Sequence, residues 1–436
     1  MTYDTIIIGA GAAGLAAAAE LARAGRSTLV VEARSRVGGR VWSVNVPGVP
    51  VPVELGAEFI HGRPASTFSL LAAAGAAAVD RTGEGWYAAR GGLRPVGEVF
   101  AEVRAAVKNI RPPHPDISFD QLLRRELRHL SPRARAFARR RVEGYDAAHP
   151  QRISARAVLE EWSGEDEATA PSHFRPSGGY GALLDWLARG LQGSAAELRL
   201  DTVVREVRWE RGGVEIEAVA AAKPLRAAAR RAIVTAPLGV LQANADMPGA
   251  IRFMPQLSSK RRALSQLAVS PVVKAALLFR DAFWERLAGA RFAQAGFFRA
   301  FGAAFPSYWT ALPVRAPLLV AWAGGPHADR LAGLDVEAIA DAALDGLESM
   351  FGKRAGIRRS LVRAWAHDWQ RDPYARGAYS YVTVGGAGAR RALARPIDAT
   401  LYFAGEAANA QGEHGTVGGA LHSGVRAARQ ALRGGN

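Results

Sequence analysis

The sequence predicts an α/β fold that opens on a strand, helix and strand in succession. Three observations predict it. An apolar run from Thr5 to Ile8 enters Gly9, Gly11 and Gly14, an Ala/Leu-rich helical stretch follows and ends at Gly25, and a second apolar run, Leu29 to Val31, stops at Glu32. The glycines serve different ends: Gly9 makes the turn, Gly11 lets backbone approach a pyrophosphate, and Gly14 lets helix and strand pack closely. The helix N-terminus then offers N–H groups to phosphate. Glu32, eighteen residues after Gly14, is placed to accept from a ribose diol and to repel a 2′-phosphate. The expected ligand is an unphosphorylated ADP moiety in a Rossmann-like domain. A secretory leader is rejected, because Asp4 and no Lys or Arg precede the alanine run.

The chain has 436 residues, enough for a large core and two or three domains. Its 49% apolar and 22% charged residues are ordinary for a globular protein. No apolar stretch reaches the roughly 18 residues of a membrane helix, so a soluble protein with no membrane partner is expected. The chain has no cysteine, which excludes disulfides, thiolate metal sites, thiol nucleophiles and a cysteinyl link to a cofactor. A cytoplasmic location is compatible with that. The nine histidines lack ligand spacing, so no metal is predicted. Net charge is +16, yet only five of the 56 basic residues are lysine and the arginines spread through the chain. A solvated arginine-rich surface is therefore expected, with no nucleic-acid partner. Arg133, Arg135, Arg139, Arg140 and Arg141 interleave with alanines at helical spacing and predict one exposed helix face.

After Glu32, Arg36-Val37-Gly38-Gly39-Arg40 forms a two-glycine loop followed by arginine, which lets backbone and guanidinium approach a phosphate. Residues 54–62 read ELGAEFIHG. GAGAAGL, Glu32, RVGGR and ELGAEFIHG together resemble the flavin-containing amine oxidases, the family of monoamine oxidases, polyamine oxidases and flavin-dependent histone lysine demethylases. Bacterial polyamine and monoamine oxidases are the most alike. The resemblance implies FAD rather than NAD, with contacts at Gly9, Gly11, Ala13, Gly14, Glu32, Ala33, Arg34, Gly39, Arg40, Gly56, Ala57, Glu58 and Phe59. No second glycine fingerprint with a following acid appears, so electrons are expected from the substrate and not from a pyridine nucleotide.

From Pro64 to about Gly190 the pattern is mostly helical, with helices expected at Val99–Ile110, Phe119–Leu130, Pro132–Tyr145, Ala155–Trp162 and Ala182–Leu191. Glu160, Glu161, Glu165, Asp166 and Glu167 form the one acidic cluster, either a solvated loop or an entry rim that attracts amines. Thr202–Trp209 and Val214–Val219 alternate as a hairpin around Gly212-Gly213, and Ala232–Thr235 enters Pro237. By resemblance Val204 would meet adenine through its backbone, with Pro237 beside the cofactor.

Val269–Phe279 reads as one strand, with Val272, Lys274, Ala276 and Leu278 on one face. Lys274 is then an ammonium in an apolar strand. VVKAALLFRDAFW resembles the family segment whose lysine binds water next to flavin N5, which makes Lys274 the leading catalytic candidate. Ala338–Phe351 reads as an amphipathic helix and Ser360–Ala366 as a strand. Asp368 to Ser380 is similar to the family's W-x-x-D-P…G-x-Y-S stretch, which implies Trp369 and Tyr379 at the flavin ring. Cysteine-tethered members carry their cysteine near Gly377 and Ala378, so FAD here is expected to be non-covalent. Leu401 to Glu406 reads as a buried strand entering a loop, and Gly415 to Ala420 opens the last helix. Gly405, Glu406, Gly415, Thr416, Val417 and Ala420 would contact the cofactor, Glu406 through a ribityl or ribose hydroxyl. Monoamine oxidases place a second cage tyrosine where Thr416 falls, so at most half of that cage is present.

The expected organisation is a discontinuous FAD-binding domain from residues 1–62, 196–268 and 396–436. Residues 63–195 and 269–395 supply a substrate-binding domain of mixed sheet and helices with a helical insert. The expected chemistry passes a hydride equivalent from an amine α-carbon to flavin N5, gives an imine that hydrolyses, and reduces O2 to hydrogen peroxide. The active-site set is Lys274, Tyr379, Trp369, Thr416, His61 and Glu58. Glu58 and His61 fall where polyamine oxidases carry W-I-H-G, which favours a polyamine as the small-molecule amine. A monoamine, or an amino acid clamped by Arg63 or Arg299, stays open. So do two other classes: a carbon–carbon desaturase resembling protoporphyrinogen oxidase, and a basic flavoprotein without turnover.

Overall fold

The computed structural model describes residues 2–89, 92–95, 102–103, 105–107, 110–163 and 173–434. The opening unit consists of β1 (Thr2–Ile8), α1 (Ala12–Arg23) and β2 (Thr28–Val31). Ile6, Ile7 and Leu29 to Val31 are all buried, because a parallel strand is covered on both faces. β1 pairs in parallel with β2 on one side and with Lys223–Val234 on the other. Ala196–Arg199 extends the sheet beside β2, and Leu401–Phe403 adds beside Ala232 to Val234. Three distant stretches of chain thus build one sheet, which the hairpin of Thr202–Glu210 and Gly213–Ala220 continues.

The C-terminal helix, Val417–Arg433, packs on α1. Gly424 allows it, since a Cβ there would lie 2.1 Å from the Ala13 carbonyl oxygen; on the strand side of α1, a Cβ on Gly14 would lie 1.9 Å from the Gly9 carbonyl oxygen. Gly14→Ala is therefore expected to destabilise the fold by about 1–3 kcal/mol and to lower the flavin bound per chain. Urea midpoints and the visible absorbance of the purified variant check this; an unaltered midpoint with full flavin would refute it.

A second sheet runs in the order Leu361–Asp368, Val272–Phe279, Leu318–Gly324, Ser307–Thr310, Ala295–Arg299, Glu84–Ala89, Gly92–Pro95. Val273, Ala275, Leu277 and Phe279 pack in one cluster with Ile339, Ala343 and Leu347 of the helix Val336–Phe351. Lys274 belongs to the opposite face, as the alternation predicts.

The predicted strand Val269–Phe279 is in fact divided. Leu267–Val269 pairs with Ser380–Val382, and Val272–Phe279 pairs elsewhere. Pro271 between them has no N–H to donate to a ladder. The helix expected to reach Leu130 ends at Arg125, where the N–H groups of Glu126 and Leu127 both turn back to Leu122. The helix expected at Val99–Ile110 and the acidic residues Glu165, Asp166 and Glu167 fall wholly or partly outside the described residues. The arginine-rich helix Pro132–Gly144 is not a uniformly exposed face. Only Arg133 of its five arginines is exposed; Arg139 pairs with Asp120, Arg140 covers Phe301, and Arg141 lies over Tyr145 and Trp162. A planar guanidinium stacks on aromatic rings and so finds cover that an ammonium would not. Among the described residues, no helix is long and apolar enough to cross a membrane, and no cluster of three His, Cys, Asp or Glu could hold a metal ion.

Candidate active site

One cavity of about 1150 Å³ runs from the β1–α1 turn to the Lys274 strand. At the turn it is lined by Gly9, Gly11, Ala13, Glu32, Ala33, Arg34 and Gly39, with Val204 and Pro237 nearby. Gly9 takes φ +106°, a left-handed conformation that glycine adopts without strain. Helix α1 starts at Gly11 with no side-chain cap, so its first-turn N–H groups stay available to an anion. Glu32 accepts the Ala10 N–H at 2.8 Å and the Arg34 N–H at 3.0 Å, which fixes the carboxylate at the strand end with lone pairs to spare. Gly14 does not line the cavity; it lets α1 sit against Gly9. Glycine turn, open helix end and terminal acid together suit the ADP half of a dinucleotide.

Further along lie Gly405, Glu406, Gly415, Thr416, Val417 and Ala420. Gly405 has φ +127° and a Cβ there would meet no atom within 4 Å, so its backbone is bare toward the cavity. Three expectations change here. Glu406 is not simply a free acceptor for a sugar hydroxyl: one oxygen takes Arg40 Nη1 at 2.9 Å and the other takes the Ser380 hydroxyl at 2.7 Å. Burial raises its pKa, but Arg40 and Arg390 more than offset that and lower it. Arg40, which also donates to the Ala378 carbonyl, is correspondingly tied to protein and not held out for a phosphate. Thr416, expected in the active-site set, lines the cavity but does not have a free hydroxyl to offer. Its hydroxyl accepts the Gly419 N–H at 2.9 Å and donates to the Glu413 carbonyl at 2.7 Å, so it caps the C-terminal helix.

Lys274 is 1% exposed. The expected ammonium among apolar neighbours is an ion pair: Nζ donates to Glu58 Oε2 at 2.8 Å and to the Gly56 carbonyl at 3.0 Å. Glu58 also accepts Arg175 Nε at 2.8 Å and the Trp309 indole N–H at 3.0 Å. Burial would raise the Glu58 pKa, yet Lys274 and Arg175 hold it down at about 2. Glu54, at the head of the same ELGAEFIHG segment, makes no ion pair among the described residues. Burial pushes it up to about 7, although the Ser43 hydroxyl, 2.8 and 2.7 Å from its two oxygens, and the charge of Lys274 pull it down.

Aromatic rings wall this end. Tyr379 is stacked with Trp322, centroids 6.5 Å apart and planes 11° apart, and its hydroxyl donates to the Tyr145 carbonyl. Trp369, 2% exposed, donates to the Leu55 carbonyl at 3.0 Å. Trp309 stands beside Phe59, Phe297 and Trp322. His61 lines the cavity with its Nδ1 2.9 Å from that of His173. Burial first, then Arg81, lowers His61 to about 4; burial, then His61 and Arg81, lowers His173 to about 3. Both rings are therefore neutral near pH 7, one nitrogen donating to the other. Glu160 and Glu161 line the cavity, as does Arg299, whereas Arg63 instead covers Phe68 and Phe174 away from it. Sequence reasoning missed Arg175, Trp309, Trp322, Phe297, Arg81 and His173. The alternation of Ser307–Thr310 could have flagged Trp309; no local signal marks Arg175.

The chain is similar to "Lysine-specific histone demethylase 1 homolog 3" of Arabidopsis thaliana, 28% identical over 99% of this chain but only 30% of that protein. It is 28% identical to "Polyamine oxidase 4" of Oryza sativa subsp. japonica over 99% of this chain and 88% of that one. The chain spans 30–58% of the length of the first three curated relatives it matches. Among solved structures, putrescine oxidase superposes with a TM-score of 0.79 and cyclohexylamine oxidase from Brevibacterium oxydans IH-35A with 0.80. Each is 22% identical and covers 99% of both chains, so the α/β fold is the one these oxidases share. The family described as "Flavin containing amine oxidoreductase" matches residues 12–432, and with the glycine turn, the terminal acid and the buried lysine in one cavity, the chain belongs to that flavin-containing family.

Proposed function

We propose that the protein is an amine oxidase that uses non-covalent FAD to oxidise the α C–H bond of an amine, the resulting imine hydrolysing to a carbonyl product. When bound, the flavin supplies the electron acceptor, taking a hydride equivalent at N5 and passing the electrons to O2 as hydrogen peroxide. The observation that carries this reading is the buried Lys274–Glu58 pair, 2.8 Å apart, in the same cavity as the open N-terminus of α1. Two of the three Lys274 N–H groups go to Glu58 and Gly56, which leaves one to hold a water at the reacting end. Trp322, Tyr379, Trp369 and Trp309 exclude bulk water and present an apolar wall to the amine carbon.

The first sheet draws its strands from residues 1–62, 196–268 and 396–436, which supports assigning those segments to the FAD domain and residues 63–195 and 269–395 to substrate. The polyamine preference drawn from ELGAEFIHG meets Arg81 and Arg299 on the cavity wall. A second ammonium beside two guanidinium groups is unfavourable, so an amine with a single cationic end fits better.

Anaerobic mixing of the yellow protein with putrescine, spermidine, spermine, tyramine and amino acids tests the reading. The flavin absorbance should bleach with one amine class and return on admitting air, with peroxide formed. Bleaching by apolar ring substrates but by no amine would assign the desaturase class instead. FAD should also separate from the chain on denaturation, since no cysteine can hold it.

A further inference from the structure

In the same cavity as the Lys274–Glu58 pair, two guanidinium groups make no ion pair among the described residues, although Asp80 acts on Arg81 from farther off. Arg81 and Arg299 both line the cavity and both lie against Phe297, their Cζ atoms 4.3 and 6.0 Å from its ring centroid. Arg175 close by shares the single Glu58 carboxylate with Lys274. Among the described residues no carboxylate comes within ion-pair distance of Arg81 or Arg299. Arg81 Nε is buried without a hydrogen-bond partner, and Arg299 has only the Ser307 hydroxyl at 3.4 Å.

The two cations also repel one another. Burial, then Arg175 and Arg299, lowers Arg81 to about 10, and burial, then Arg141, lowers Arg299. Uncompensated charge in such a place destabilises the folded chain unless a ligand completes it. A carboxylate is the group whose two oxygens match guanidinium forks. An aromatic wall joins this pair to Lys274: Phe297 stands 5.7 Å from Trp309, and Lys274 Nζ lies 5.4 Å from the Trp309 ring.

We propose that Arg81 and Arg299 form a carboxylate-binding wall, so that the amine oxidised here is an amino acid: an amine carrying a carboxylate at its other end, with an apolar or aromatic body between. This rests on the oxidase reading, and it names the substrate class that reading leaves open. The guanidinium pair holds the carboxylate, the aromatic rings take the body, and the amine-bearing carbon faces the Lys274 end.

The test compares matched pairs in the peroxide assay: 4-(aminomethyl)benzoate against benzylamine, and 6-aminohexanoate against hexylamine. In at least one pair the acid should have the higher kcat/KM by roughly tenfold or more, as for a site built to bond a group its competitor lacks. Phenylacetate, which has no amine to oxidise, should perturb the flavin spectrum on binding. Arg81→Gln should weaken phenylacetate binding and the acid preference by roughly tenfold each, with Arg81→Lys recovering only part; Arg299→Gln provides the same reading if Arg81→Gln does not fold. If phenylacetate leaves the spectrum unchanged, or if the plain amine wins in both pairs, the carboxylate wall is overturned. Bleaching by plain amines alone would leave the oxidase reading standing without it. Arg81-dependent phenylacetate binding with no bleaching by any amine would do the reverse.

Discussion

Lys274→Met is expected to slow turnover by about 100-fold while costing about 3 kcal/mol of stability. The two losses have different origins. Methionine keeps the apolar stem and leaves the strand's pairing to Leu318–Gly324 and Leu361–Asp368 untouched. It removes the ammonium that donates to Glu58 and Gly56, and Glu58 keeps only Arg175 and the Trp309 indole. A buried carboxylate deprived of its nearest cation is driven toward protonation. Glu58→Gln added to Lys274→Met removes that charge and should restore much of the stability, since the two residues are in contact and their effects are not additive. Turnover should stay low in the double variant. Urea midpoints for the four-member cycle, with stopped-flow flavin reduction and reoxidation, read the two losses separately. Near-native turnover in Lys274→Met would remove the lysine from the chemistry, and a double variant no more stable than the single one would sink the ion-pair account.

Local features of this site were legible in the chain because their physics is local. Gly9, Gly11, Gly14 and Glu32 are held together by one turn, one helix and two strands, and period-two alternation put Lys274 opposite the face that packs on the helix Val336–Phe351. What alternation cannot reveal is the partner. Glu58 lies 216 residues away in sequence, and Arg175, Trp309 and Trp322 come from three further elements. Without them Lys274 looked like a lone ammonium among apolar neighbours. Thr416 went the other way: a threonine three residues before Gly419 at the start of a helical stretch is a local capping signal, and family likeness drew it into the site when its hydroxyl was already committed. The arginine-rich helix was misread for a related reason. Helical spacing shows that its arginines share faces, but not that Phe301, Tyr145 and Trp162 lie ready to cover them.

Mild acid is expected to destabilise the protein through three buried histidines, whose joint effect outweighs the opposing one of Glu54. His61 falls to about 4 and His173 to about 3, both from an ordinary 6.5 and both chiefly through burial. His414 falls to about 4 for the same first cause, with Arg390 adding to it. Because these folded values lie below 6.5, the unfolded chain binds protons that the folded chain refuses. The histidine share of stability is complete above about pH 6.5 and declines as the pH drops toward 4, by at most about 1.4 kcal/mol per pH unit for each histidine that stays neutral; Glu54, raised to about 7, opposes one such share between pH 7 and 4.5. The shared hydrogen bond makes His61 and His173 titrate as a pair, so their joint slope lies below twice that limit. Glu58 acts in a lower window: its pKa is depressed from 4.5 to about 2, so its contribution is intact above 4.5 and fades as the pH falls through 2. Urea midpoints at about pH 7.5, 6 and 5 should therefore fall steadily in the wild type. His61→Asn with His173→Asn removes the paired imidazoles and should flatten that fall, leaving the His414 share. A midpoint that holds constant down to pH 5 in Glu54→Gln, where the opposing carboxyl is gone, would mean that the imidazole pair takes up its proton in the folded state and that burial does not hold these rings neutral.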